Sequence, residues 1–172
     1  MLQGMGGDMQ TRRVLFLCTG NFYRSRLAEI LFEREGLPGW SASSRGLVVS
    51  GALKGLAPQV AEYLASEGVV ADLRDPAPLL VDELVGAEHV VLLNASEHEP
   101  LLLRDFRAVY RKLLADGAVT KWNVFDLPAR KVAWGQEPPP GQPPVSAIEH
   151  IRFAVSDLVR RLGQREGKPA GS

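Results

Sequence analysis

The residues whose types and spacing could do chemistry are Cys18, Arg24 and Ser25. They lie in Val14-Leu15-Phe16-Leu17-Cys18-Thr19-Gly20-Asn21-Phe22-Tyr23-Arg24-Ser25, with five residues between the cysteine and the arginine. An apolar run ending in a cysteine, a short loop and a helix start can curl its backbone N–H groups around an anion. The helix N-terminus adds partial positive charge to the same spot. On this reading Thr19, Gly20, Asn21, Phe22, Tyr23, Arg24 and Ser25 form a cradle for a phosphate group. The cradle also favours a thiolate at Cys18, which can attack phosphorus in line. Arg24 offers a planar fork to two phosphate oxygens. Ser25 can hydrogen-bond the sulfur, and Gly20 permits a turn that other residues resist.

Each residue alone has a plainer reading. A single cysteine in an apolar strand is ordinarily a core thiol, a lone arginine a solvated charge, and a lone serine a helix cap. The joint spacing is what no packing argument requires.

Composition narrows the rest. The 172 residues carry 20 basic and 20 acidic side chains, a formal net charge of zero. Nucleic-acid and anionic-membrane partners normally need a basic excess, so neither is expected. One cysteine excludes an internal disulfide framework and a cysteine-rich zinc site. His89, His98 and His150 show no paired spacing, so no metal and no other cofactor is expected. Arg104, Arg107 and Arg111 read as one solvated helical face. The apolar runs Val14–Cys18 and Val90–Leu93 are far below the ~20 residues that cross a bilayer. Met1 to Thr11 lacks the apolar core of a signal peptide, so a cytoplasmic location is expected.

The elements that must position these residues follow from periodicity. Val14–Cys18 reads as a central strand covered on both faces. A helix from Ser25 carries Leu27, Ile30 and Leu31 and stops at Gly36. Trp40–Ser44 reads as a second strand, and Pro58 opens a helix bearing Val60, Ala61 and Leu64, with Gly68 past its end. Asp82–Val85 forms one or two turns before the strand His89–Leu93. Phe106, Val109, Tyr110 and Leu113 mark a helix ending near Gly117, and Val119–Phe125 is a short fourth strand. Ser146 and Glu149 cap a last helix with Ile151, Val155, Leu158 and Leu162 inward and Gly163 as its stop. The five prolines between Glu137 and Pro144 read as a stiff surface connection. Alternating strands and helices predict one three-layer αβα domain over residues 12–163, flanked by flexible tails at 1–11 and 164–172. Its doubly wound sheet has about four parallel strands, Rossmann-like or flavodoxin-like. Such sheets bind ligands beyond the carboxyl ends of their strands, where Cys18 sits.

At this point the sequence resembles the low-molecular-weight protein tyrosine phosphatase family. The family signature is a hydrophobic strand, Cys, five residues with Gly-Asn in the third and fourth places of the motif, then Arg and Ser or Thr. Cys18, Gly20, Asn21, Arg24 and Ser25 match it, and Ala28-Glu29 continues the usual helix. Ser44-Arg45-Gly46 is similar to the family's Ser-Ala-Gly, which implies that Ser44 steadies Asn21. His89–Leu93 with Asn94, Glu97 and His98 looks like its third strand and following helix. The resemblance implies hydrolysis of phosphotyrosine or similar aryl phosphates, on a protein or a small molecule, through a cysteinyl-phosphate intermediate. It implies inhibition by phosphate, vanadate and similar oxyanions, and it implies a general acid in a late loop. Asp126, in Phe125-Asp126-Leu127-Pro128, is the candidate acid.

Three departures stand out. Leu127 separates Asp126 from the expected proline. Tyr23 occupies the place where many members carry a second cysteine. Ala129-Arg130 replaces an aromatic pair, leaving Phe22, Tyr23 or Trp134 as candidate walls for an aryl ring. The rival on the same fold is an arsenate reductase coupled to an external thiol, since this chain has no further cysteine for a disulfide relay. Arginine phosphatases carry a small Thr where Phe22 stands, and a sugar-uptake phosphocarrier has no need of Arg24. A phosphate-binding regulatory module without turnover is the reading from a different class.

Overall fold

The structure is a computed structural model that describes residues 11–125 and 146–166. Its elements run β1 (Arg12–Cys18), α1 (Arg24–Glu35), β2 (Trp40–Gly46), α2 (Pro58–Ser66), α3 (Val81–Val85), β3 (His89–Leu92), α4 (Ala95–Asp105), α5 (Arg107–Ala115), β4 (Val119–Lys121) and α6 (Ala147–Glu166). The four strands form one sheet in the order β2-β1-β3-β4, and every pairing is parallel. The predicted doubly wound α/β class is the observed one.

Burial on both faces explains why β1 reads as an unbroken apolar run. Val14, Phe16 and Cys18 join one core with Leu27 and Phe32 of α1, Val60 of α2, and Ile151 and Val155 of α6. Leu15 and Leu17 point the other way, into a second core with Leu84, Leu102 and Tyr110. Alternate residues of one strand therefore hold two helical layers to the sheet. Full burial of each such side chain contributes roughly 1.5–3 kcal/mol.

Several elements differ from the sequence expectation. β1 begins at Arg12, and β2 runs to Gly46, pairing residue for residue with Cys18. β4 is only Val119–Lys121, with an isolated bridge from Asn123 to Asn94 beyond it. Arg104 does not share a helix with Arg107 and Arg111. It closes α4 and pairs with Asp105, while the chain breaks at Phe106 before α5 begins. The last helix passes through Gly163 to Glu166. Glu166 accepts from Trp40 Nε1 at 2.9 Å and pairs with Arg12, so the end of α6 is tied to β1 and β2. These contacts outweigh the glycine's weak helix propensity, about 1 kcal/mol against alanine. The proline-rich stretch, Trp134 and the Asp126 segment lie outside the described residues.

With β1 between β2 and β3, the chain direction around the sheet reverses at β1 and β3. Their carboxyl ends bound the crevice where open α/β sheets take ligands. Cys18 ends β1, and Asn94 follows β3.

Candidate active site

The loop from Cys18 to Ser25 is built against that crevice. Cys18 O accepts from Leu47 N at 3.0 Å, and Thr19 O from Val48 N at 2.8 Å, so the chain leaving β2 fastens the loop's first residues. Gly46 makes this approach possible. A Cβ there would meet Thr19 O at 2.9 Å and Asn21 Cβ at 3.1 Å. Asn21 has φ 53°, the one positive value outside glycine among the described residues. Asparagine tolerates this left-handed region better than other non-glycine types, for which it costs roughly 1–2 kcal/mol.

Hydrogen bonds converge on the sulfur. Ser25 Oγ lies 2.8 Å from Cys18 Sγ, and the Asn21 backbone N–H donates to the sulfur at 3.3 Å. The buried Asn21 carboxamide donates at 2.9 Å to both Ser25 Oγ and Ser44 Oγ. Thus Cys18, Asn21, Ser25 and Ser44 meet in one network. Arg24 opens α1 and is only 2% exposed. Its Nη2 donates to Glu97 Oε2 at 2.8 Å, and its Nη1 to Val124 O at 3.0 Å. Phe22 is half-buried and Tyr23 buried, both against the core shared by α1, α2 and α6.

Two groups at this site carry no local sequence pattern of their own. Arg74, from the connection between α2 and α3, donates to Asn21 Oδ1 at 3.1 Å. His98, fully buried on α4, lies 3.1 Å from Thr19 Oγ1 through Nε2. Its Nδ1 accepts from Asn94 N at 3.0 Å, so the ring proton sits on Nε2 and points at Thr19. A sequence signal for this region does exist. Asn94 and Glu97 have capping spacing, and Asn94 accepts from the Glu97 N–H at the start of α4.

His98 has its pKa lowered to about 4, chiefly by burial and then by the nearby Arg24 charge. His89 is lowered to about 4 as well, by burial and then by Arg165. Between pH 6.5 and 4 the unfolded chain takes up protons that the folded imidazoles refuse. Stability from these two groups is therefore complete above pH 6.5 and drains away as pH falls toward 4. The loss reaches up to about 3 kcal/mol for each ring. Thermal melts at pH 7, 6 and 5 should show a falling Tm, with a shallower slope in His98→Gln. A Tm unchanged across that range would contradict the assignment.

No family model and no curated protein matches the sequence. Solved structures do match the fold. An arginine phosphatase from Geobacillus stearothermophilus superposes with TM-score 0.61 at 23% identity, covering 91% of this chain and 93% of that one. A low molecular weight protein tyrosine phosphatase from Streptococcus pyogenes gives TM-score 0.63 at 13% identity, covering 88% and 93%. The fold is that of the low-molecular-weight tyrosine phosphatases. A thioredoxin-dependent arsenate reductase from Corynebacterium glutamicum shares it too, with TM-score 0.62 at 19% identity, covering 90% of this chain and 63% of that one. One scaffold thus carries different chemistries, and the side chains at the carboxyl end of β1 must discriminate among them. Among the described residues no cluster has the makings of a metal site, and no helix is long and apolar enough to cross a membrane.

Proposed function

We propose that this chain is a phosphomonoester hydrolase of the low-molecular-weight tyrosine phosphatase type, acting on phosphotyrosine or a similar aryl phosphate. The observation that carries this reading is the sulfur of Cys18. It ends a central strand at the mouth of a helix and receives the Asn21 N–H at 3.3 Å. Ser25 Oγ stands 2.8 Å away, and a buried arginine completes the loop. A structural core thiol has no use for such a set.

In the proposed reaction the Cys18 thiolate attacks phosphorus while the ester P–O bond breaks. Arg24 and the loop N–H groups take the three phosphoryl oxygens, whose charge grows in the transition state. Asp126 gives its proton to the departing oxygen, which leaves as a neutral phenol. Water then attacks the cysteinyl phosphate, Asp126 takes the water's proton, and the thiolate departs with the Ser25 hydroxyl donating to it. Ester and water become alcohol and inorganic phosphate, and no cofactor takes part. A half-buried Phe22 in the loop supports an aryl substrate over a phosphorylated guanidinium, whose remaining N–H donors would face an apolar ring.

The decisive assay is hydrolysis of p-nitrophenyl phosphate near mildly acidic pH, beside phosphotyrosine, phosphoarginine, phosphoserine and arsenate. Phosphotyrosine turnover ahead of the others is expected. Arsenate reduction with an external thiol, or phosphate binding with no turnover, would replace the reading. In Asp126→Ala, kcat for phenyl phosphate should fall by about 10²–10³, and far less for p-nitrophenyl phosphate, whose leaving group needs little protonation. Equal losses for both esters would remove Asp126 from the acid's role.

A further inference from the structure

The Asn21 carboxamide uses its whole hydrogen-bonding capacity. Its NH2 faces Ser25 and Ser44, and its Oδ1 accepts from Arg74 Nη1 at 3.1 Å and the Ala77 backbone N–H at 3.0 Å. Arginine and a backbone amide can only donate, so they decide which way the amide points. Were the amide reversed, its NH2 would face two donors in a site with no exposure to water. The consequence passes to the serines. Ser44 accepts from Asn21 and from Arg74 Nη2 at 3.2 Å, and donates its own proton to Glu29 Oε2 at 2.8 Å. Ser25 accepts from Asn21, which leaves its single hydroxyl proton for the sulfur 2.8 Å away.

We propose that Arg74 is a positioning residue for the Cys18 thiolate. Acting through Asn21 and Ser25, it fixes the direction of a proton chain that ends on the sulfur. The inference deepens the phosphatase reading and rests on Cys18 being its nucleophile. Arg74 suits the task because it spans two partners. Nη1 bonds the asparagine, while Nη2 bonds Ser44 O at 3.1 Å and Ser44 Oγ. Glu29, whose Oε2 lies 3.6 Å from Nη2, balances its charge, with Asp72 also nearby and Arg26 and Arg45 opposing. Its bond to Asn21 is charge-assisted and about twice as strong as a neutral one, so Ala77 N–H alone is a weaker director.

The test reads the sulfur itself, because Cys18 is the only thiol. Alkylation by neutral iodoacetamide is followed by intact mass at pH 6 and at pH 10. Arg74→Met should slow alkylation at pH 6 about tenfold, and its rate should rejoin the wild type at pH 10, where a thiol ionises without help. Arg74→Lys, one point donor in place of a fork, should lose about threefold. In a Ser25→Ala background neither change should slow alkylation further. A rate for Arg74→Met within twofold of wild type at pH 6 overturns the proposal. The same loss persisting without Ser25 overturns it too, since the charge would then act directly. If Arg74→Met does not fold, Arg74→Lys with and without Ser25 decides by the same criteria. Alkylation needs no substrate, so absent turnover with this pattern intact would refute the phosphatase and leave the proton chain standing. Turnover without the pattern would do the reverse.

Discussion

Cys18→Ser should lower turnover of p-nitrophenyl phosphate by at least about 10⁴-fold while the protein still binds inorganic phosphate. Serine keeps the approximate shape of the side chain and can keep its hydrogen bonds to Ser25 and Asn21. Its hydroxyl is a far weaker nucleophile than a thiolate and, once phosphorylated, a far poorer leaving group. Phosphate affinity should stay within a few-fold of the wild type or rise. The substitution removes a negative sulfur that would repel the bound dianion, and Arg24 and the loop N–H groups stay in place. Calorimetric titration with phosphate beside steady-state kinetics separates the two effects. Turnover like that of the wild type would end the cysteinyl-phosphate mechanism. Loss of binding together with turnover would mean that the sulfur holds the loop together rather than reacting.

Arg24→Ala should lose both functions, with kcat/KM down by at least about 10³-fold and phosphate binding no longer measurable at millimolar concentration. The geometry makes this loss larger than that of one donor. Arg24 is 2% exposed and donates to Glu97 and to the Val124 carbonyl, so its removal leaves an acceptor of each kind facing the loop. The Glu97 carboxylate, 40% exposed, would then confront the anion without its cation. The double variant Arg24→Ala, Glu97→Gln should recover part of the binding. A single variant that binds phosphate as the wild type does would show that the loop N–H groups suffice.

How far the site was legible in the sequence depends on how its residues are spaced. Cys18, Arg24 and Ser25 lie within one strand–loop–helix, where chain geometry alone carries them to one point. Their chemistry could be read from spacing, and the sulfur–Ser25 contact at 2.8 Å lies where that spacing leads. The Ser44–Asn21 bond was implied only by the family resemblance, since it joins the loop after β1 to a residue of β2 that lies 23 positions away in sequence. Arg74 had no signal, because its segment has neither period nor motif. The extension of α6 beyond Gly163 was hidden for a related reason, as it depends on Arg12 and Trp40 across the domain. The break between α4 and α5 at Phe106 escaped a periodicity that runs on through it.

The sequence by itself therefore determined the alternating α/β order, the two-faced burial of β1 and the cysteine loop with its candidate nucleophile and anion fork. These are local properties, set by side-chain period, loop length and residue type. Only the tertiary structure decided what stands behind the loop. Strand order β2-β1-β3-β4 brings Ser44, Arg74, Glu97 and His98 from three separate segments onto eight consecutive residues. Hydrogen bonds between such distant segments leave no period in a sequence, because their partners are chosen by the packing of the sheet.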